Sequence, residues 1–292
     1  MRACDCCGGQ RWEPLFAENS ITLGKCPDCD LHSIDAIPDP DARMTEMEAG
    51  HYAGSLEVLD AERQIIAEQV LADSFQKYVD MASRHLTGGH WLDIGCGAGL
   101  LIALAQRAGF TAEGIELNAD RRQAAAHQTG AKIEGLPVEE VAYPDDSFDV
   151  ISLINVFSHL TAPSETFKEL RRILKPGGVL IMATGEMTDG VEKDHLYNWN
   201  LGDHLYFLGD RTVDVYAEKV GYTVLEHERL WLPDYGFSRE WLRTKGRDPK
   251  KNALKTAVRV MPGGLALLRA VMLRRHKDSK AHASTFALRP TG

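Results

Sequence analysis

The stretch His90-Trp91-Leu92-Asp93-Ile94-Gly95-Cys96-Gly97-Ala98-Gly99 constrains the fold of this chain more than any other. A short apolar run ends on an acid and breaks into three glycines at alternate positions. Leu100 to Ala108, rich in Leu and Ala, then reads as a helix. Strand, glycine turn and helix open a nucleotide-binding α/β unit, because glycine lets a backbone bend tightly and lie flat against a ligand. A dinucleotide fingerprint needs G-x-G-x-x-G. Here the glycines fall at Gly95, Gly97 and Gly99, and Leu100 stands where the last one belongs.

The sequel narrows the reading. Phe110 to Ile115 predicts a second strand, and Glu116 at its end can accept hydrogen bonds from both hydroxyls of a ribose. Pro144-Asp145-Asp146-Ser147-Phe148-Asp149-Val150-Ile151 turns into a later strand, and Leu174-Lys175-Pro176-Gly177-Gly178 precedes the apolar run Val179-Leu180-Ile181-Met182. In this order the D-x-G-x-G-x-G loop, the acid and the two turns resemble the class I S-adenosylmethionine-dependent methyltransferases. The resemblance implies a doubly wound, Rossmann-like α/β sheet of seven strands with S-adenosylmethionine as cofactor. It also implies a cofactor site built from Asp93, Gly95, Cys96, Gly97, Glu116, Leu117 and Asn155. Many relatives hold the adenine amino group with an acid after strand three. Counting back from Pro144 puts Pro137 there, so adenine falls to the backbone around Val138, or to Glu139 after a local shift. Periodicity predicts strands near 90–94, 111–115, 131–134, 148–155, 178–184 and 223–231, with helices near 99–109, 119–129, 164–174 and 210–220. That alternation places a ligand beyond the carboxyl ends of the strands.

Cys4-x2-Cys7 and Cys26-x2-Cys29 lie 18 residues apart, within the spacing of a Cys4 zinc site. Four thiolates would enclose a structural Zn²⁺ with no open position, and Cys6 is spare. The expected organisation is a zinc ribbon over 1–36, a linker and helical cap over 37–88, the cofactor domain over 89–231, and a basic helical extension over 232–292. Within these, residues 35–47 read as linker and 276–292 as a frayed tail. In the superfamily the cap lies over the cofactor, which makes Tyr52 a lid candidate.

Methyl transfer is an in-line displacement at a sulfonium. It needs alignment of both partners and, for some acceptors, a base. His159 follows the fourth predicted strand, with Ser158 where many relatives carry an acid. Tyr197 to Leu208, after the fifth, resembles the H-E-H-L-x-Y-F segment of sugar C-methyltransferases, which also carry an N-terminal zinc ribbon. The resemblance makes Asp203-His204 the acid–histidine pair and His204 the general base, with Gly202 in place of the first histidine. His195 and Glu186 are weaker candidates in the same loop, and Trp199, Trp231, Tyr235 and Trp241 could line an acceptor pocket.

Composition sets the remaining bounds. The 292 residues are 44% hydrophobic, ample for a sizeable core, and contain no apolar run long enough to span a bilayer. No apolar leader core follows Met1, so a cytoplasmic protein is expected. The net charge of −9 is uneven. Arg243 to Arg289 carries 13 Lys or Arg against Asp248 and Asp278, about +11, which leaves about −20 elsewhere. An acidic body and only Arg2, Arg11 and Lys25 as basic residues before Asp35 disfavour nucleic acid. The basic stretches Ala253 to Val260 and Leu265 to Arg275 suit an anionic membrane surface, a partner or oligomer contact, or packing on their own domain. The expected function is methyl transfer from S-adenosylmethionine to a small molecule such as a sugar or natural-product intermediate. The rivals are an RNA methyltransferase that uses the ribbon for recognition, and a non-catalytic methyltransferase-like partner.

Overall fold

A computed structural model describes residues 3–49, 75–193, 201–230, 249–264, 267–268, 270–271 and 281–291. Its centre is a seven-stranded sheet. Chain order within that sheet runs β4 (Gly89–Ile94), β5 (Phe110–Ile115), β6 (Ile133–Glu134), β7 (Phe148–Ile154), β8 (Leu174–Met187), β10 (Tyr222–Leu230) and β11 (Ala281–Pro290). Spatial order is β10-β11-β8-β7-β4-β5-β6. The pairs β4–β5, β5–β6, β4–β7 and β7–β8 are parallel, and β11 runs antiparallel between β8 and β10.

The chain leaves β4 toward β5 and β6 on one side and returns to β7 on the other. The carboxyl ends of β4 and β7 therefore flank the switch point, where an open α/β sheet leaves a crevice. Alternate residues of the central strands enter different cores. Leu92, Ile151, Leu180 and Met182 pack with α5 (Pro163–Ile173) and α6 (Thr212–Val220). Trp91, Val150 and Ile181 pack with a helix over 75–83 (α2) and with α3 (Leu100–Arg107). Helix α4 (Ala119–Thr129) covers the β5 side. Buried on both faces, these strands show continuous apolar runs.

A second, four-stranded sheet has the order β1 (Glu13–Glu18), β2 (Ile21–Lys25), β3 (His32–Ile34), β9 (Tyr206–Phe207). Its first three strands carry the cysteine knuckles, while β9 arrives from more than 170 residues away, pairing His32 with Phe207 and Ser33 with Tyr206.

Two expectations are corrected. Residues 35–47 are not all linker: Pro40–Glu48 form α1. Pro40 opens the helix, and the Asp39 side chain accepts hydrogen bonds from the amides of Asp41 and Ala42, a sound N-terminal cap. Its one buried residue is the charged Arg43, and Ala42, Met44 and Met47 form no buried apolar stripe that could announce it. Nor is the C-terminus a frayed tail, because β11 is a central strand and Phe286, Ala287 and Leu288 are all buried. The cofactor domain thus reclaims a strand after the basic extension, whose described residues include α7 (Pro249–Val260).

Candidate active site

At the switch point, Gly95 has a φ of 68°, and a Cβ there would meet Val156 Cγ2 at 2.5 Å. The β4 loop can therefore pack against the β7 loop only with glycine at this position. Nothing lies within 4 Å of a Cβ built on Gly97, so the loop backbone is open on that side. The Gly97 amide donates to Glu116 Oε2 and the Asn118 amide to Oε1, both at 2.9 Å. These bonds hold a buried carboxylate at the end of β5, and each oxygen keeps a second lone pair for a ligand hydroxyl. Leu117 follows, half-buried, and its carbonyl accepts from Arg122.

Asp93 is enclosed rather than open to the crevice. Its Oδ1 accepts from Ser152 Oγ at 2.6 Å, and Ser152 Oγ accepts from Trp91 Nε1 at 2.7 Å. Burial pushes its carboxyl up to about 7, the Ser152 bond opposing and the Glu116 charge adding. Cys96 is buried as well; burial raises its thiol, helped by Asp93 and Glu116, which leaves it unreactive. Asn155 is exposed at the end of β7, with a φ of 58° and its amide bonded to Ala183. Of the two adenine candidates, Val138 is buried, whereas the Glu139 carboxylate accepts the hydroxyl of Thr166 on α5.

The structure brings the two candidate histidines together, their ring centroids 4.9 Å apart, and His204 stacks on Phe207. The sequence resemblance paired Asp203 with His204; the Asp203 backbone carbonyl also meets the other histidine, lying 2.8 Å from His159 Nδ1. Burial pushes His159 down to about 3, with His204 and Arg43 acting in the same direction against that hydrogen bond. Gly202, where relatives carry a histidine, has a φ of 98°, and a Cβ there would lie 2.9 Å from Ile21 Cδ1. A side chain at this position would be strained by the backbone and would have to displace Ile21 of the ribbon strand β2. Ser158, in place of the relatives' acid, is buried and takes the Leu205 amide on its carbonyl at 2.6 Å.

Glu186 is withdrawn from candidacy. It is buried; although burial alone would raise its carboxyl, bonds from His227, Arg229 and Ser284 hold it down to about 2. Tyr52, His195, Trp199, Trp231, Tyr235 and Trp241 lie outside the described residues. Arg43, which carries no sequence signal, reaches this wall from α1: its Nη2 donates to the Asp203 carbonyl at 2.7 Å.

The cysteine pairs form one cluster. The Sγ atoms of Cys4, Cys7, Cys26 and Cys29 lie within 4.8 Å of one another, with Cys4–Cys29 at 3.5 Å and Cys7–Cys26 at 3.6 Å. A Zn–S length of about 2.3 Å gives tetrahedral edges of about 3.8 Å, so the set fits that ion and is too wide for disulfides. The two knuckles repeat one hydrogen-bond pattern, Gly8 N to Cys4 O and Cys4 N to Gly9 O against Asp30 N to Cys26 O and Cys26 N to Leu31 O. As a thiol, Cys4 is pushed up by its Cys29 neighbour and by burial, a strain that a bound cation would relieve.

The knuckles dock on the large domain. Asp5 Oδ2 accepts from the Ser164 amide at 2.9 Å and so caps α5, whose own N-cap residue Ala162 offers no side-chain bond. Tyr216 also donates to Asp5, Arg211 to Asp30, and Thr212 Oγ1 to the Cys29 carbonyl.

A parallel sheet with one antiparallel strand, a glycine loop at its switch point and an acid at the end of the next strand defines the class I methyltransferase fold. The chain belongs to the family described as methyltransferase domain, whose model matches residues 64–227. It is 30% identical over 117 residues to the ubiquinone biosynthesis O-methyltransferase of Actinobacillus pleuropneumoniae serotype 5b, covering 37% of this chain and 50% of that protein. It is 26% identical over 145 residues to the ubiquinone/menaquinone biosynthesis C-methyltransferase of Geotalea daltonii, covering 46% and 59%. The chain thus spans little more than half the length of these curated relatives. Among solved structures, the geranyl diphosphate C-methyltransferase of Streptomyces coelicolor aligns with a TM-score of 0.59 at 15% identity, over 88% of this chain and all of that one, a likeness of fold.

Proposed function

We propose that the chain binds S-adenosylmethionine in the crevice between β4 and β7 and transfers its methyl group to a small-molecule acceptor. One observation carries the reading: Glu116, buried at the end of β5, is fixed by the Gly97 amide of the glycine loop with lone pairs to spare. In this role Glu116 takes the ribose hydroxyls, Gly95 to Gly97 and Leu117 line the cofactor, and the backbone at Val138 meets adenine, since Glu139 is engaged by Thr166. Asp93 supports the loop from within. When bound, the cofactor supplies an electrophilic methyl on a sulfonium. The protein aligns the acceptor with it, between the segment 155–160 and the segment 201–208. His204 is the group there proposed to receive an acceptor proton, while His159, kept neutral by its burial, orients rather than ionises. Relatives named for both O- and C-methylation leave the acceptor atom to these loops.

The Cys4 cluster takes a structural zinc in this reading. Its knuckles spend Asp5, Asp30 and the Cys29 carbonyl on α5 and α6, which favours an internal brace over a surface that reads RNA. The test uses methyl-labelled S-adenosylmethionine with phenolic, quinol and nucleotide-sugar acceptors, and with bulk RNA. Label in a small-molecule fraction supports the proposal; label confined to RNA overturns it.

A further inference from the structure

Arg43 is the one buried residue of α1, 5% exposed, and reaches both its own helix and segments far along the chain. Its Nη2 donates to the Asp203 carbonyl at 2.7 Å, and its Nη1 pairs with Glu46 at 3.1 Å. His159 Nδ1 lies 2.8 Å from the same carbonyl oxygen and 3.4 Å from Arg43 Nη2. A guanidinium only donates, and so does not accept from the ring. The carbonyl has two lone pairs, and the arrangement closes when Arg43 occupies one and a proton on His159 Nδ1 the other. His159 Nε2 is then the lone-pair nitrogen. Arg43 from α1, itself paired with Glu46, lies beside the ring, as do His204 at 4.9 Å between centroids and the Asp203 backbone.

The other end of α1 is fastened too. Asn118 Nδ2 donates to the Glu48 carbonyl at 3.0 Å, two residues beyond Glu116. The helix therefore runs from the histidine pair to the ribose-side turn, above the carboxyl ends of the strands.

We propose that Arg43 is a positioning residue of the methyl-transfer site: it clamps α1 across the crevice and, through the Asp203 carbonyl they share, fixes His159 as the Nδ1–H tautomer. The assignment rests on the reading of segments 155–160 and 201–208 as the acceptor wall. The first part of it does not require turnover.

The test compares wild type, Arg43→Met and Arg43→Lys by proton–nitrogen correlation spectra of the histidine rings at about pH 7, with His159→Gln supplying the assignment. The wild type should show a neutral His159 protonated on Nδ1. Arg43→Met should shift this ring toward mixed tautomers, and Arg43→Lys, whose ammonium can still reach a carbonyl, should restore much of the wild-type signal. With an acceptor in hand, Arg43→Met should lower kcat/KM about 10–100-fold while the cofactor Kd stays within about twofold. A wild-type ring that is cationic or protonated on Nε2 overturns the proposal, as does a spectrum unchanged in Arg43→Met. Cofactor affinity falling in step with turnover would also overturn it, by making Arg43 a general fold residue. Should Arg43→Met fail to fold, the Arg43→Lys spectrum and kinetics decide alone, a displaced tautomer with unchanged kcat/KM counting against it. If no acceptor is ever methylated, the spectra still decide the tautomer.

Discussion

Asp93 carries a consequence for stability. Its folded carboxyl titrates near 7, whereas an unfolded aspartate loses its proton near 4. The folded state therefore binds more protons between these values, and stability falls as pH rises from about 4 to about 7. Asp93→Asn keeps an oxygen for the Ser152 hydroxyl and removes the cost of burying a charge. It should gain on the order of 2–4 kcal/mol at about pH 8 and little at about pH 4. Urea denaturation at both values checks this; a variant equally destabilised at each would show that Asp93 is held ionised. At the same scale, the sequence made Glu116 and the glycine loop legible because local spacing encodes them. Arg43 was not legible, since its meaning lies in a carbonyl 160 residues away.

The elements differ in how far local pattern reveals them. Strands β4, β5, β7 and β8 were readable as apolar runs bounded by glycine and proline. Strand β11, Ala-His-Ala-Ser-Thr-Phe-Ala-Leu-Arg-Pro, is rich in alanine and small polar residues, and its identity comes from lying between β8 and β10. Phe286→Ala should therefore cost about 3–5 kcal/mol by denaturant unfolding, as for a core aromatic; a loss under about 1 kcal/mol would contradict a built-in β11. Strand β9 is only two residues long and was likewise hidden. It matters because His32 to Ile34, just past Cys29, hold Leu205 to Phe207 beside His204. With zinc in the Cys4 cluster as proposed, Cys26→Ser or a chelator should loosen this ladder and lower turnover, while cofactor affinity stays within about twofold. Elemental analysis, calorimetry and a transfer assay test the chain of cause. A protein that retains full turnover without metal would break it.

Across the whole molecule, the ribbon, α1 and the sheet interlock at one end of the strands. Asp5 caps α5, β3 carries β9, and α1 bridges from Asp203 to Asn118. No helix among the described residues is long and apolar enough to cross a membrane. Methyl transfer by this chain requires a cofactor seated between the glycine loop and Glu116. The most direct measurement is calorimetric titration of S-adenosylmethionine into wild type, Glu116→Gln and Glu116→Ala, with thermal melts as the folding control. The account predicts saturable binding by wild type and a loss of about 1.5–3 kcal/mol in Glu116→Ala, an increase in Kd of roughly 10–150-fold. Glu116→Gln, which keeps one acceptor oxygen, should fall between the two. Absence of binding by wild type, or equal affinity in all three folded proteins, would contradict it.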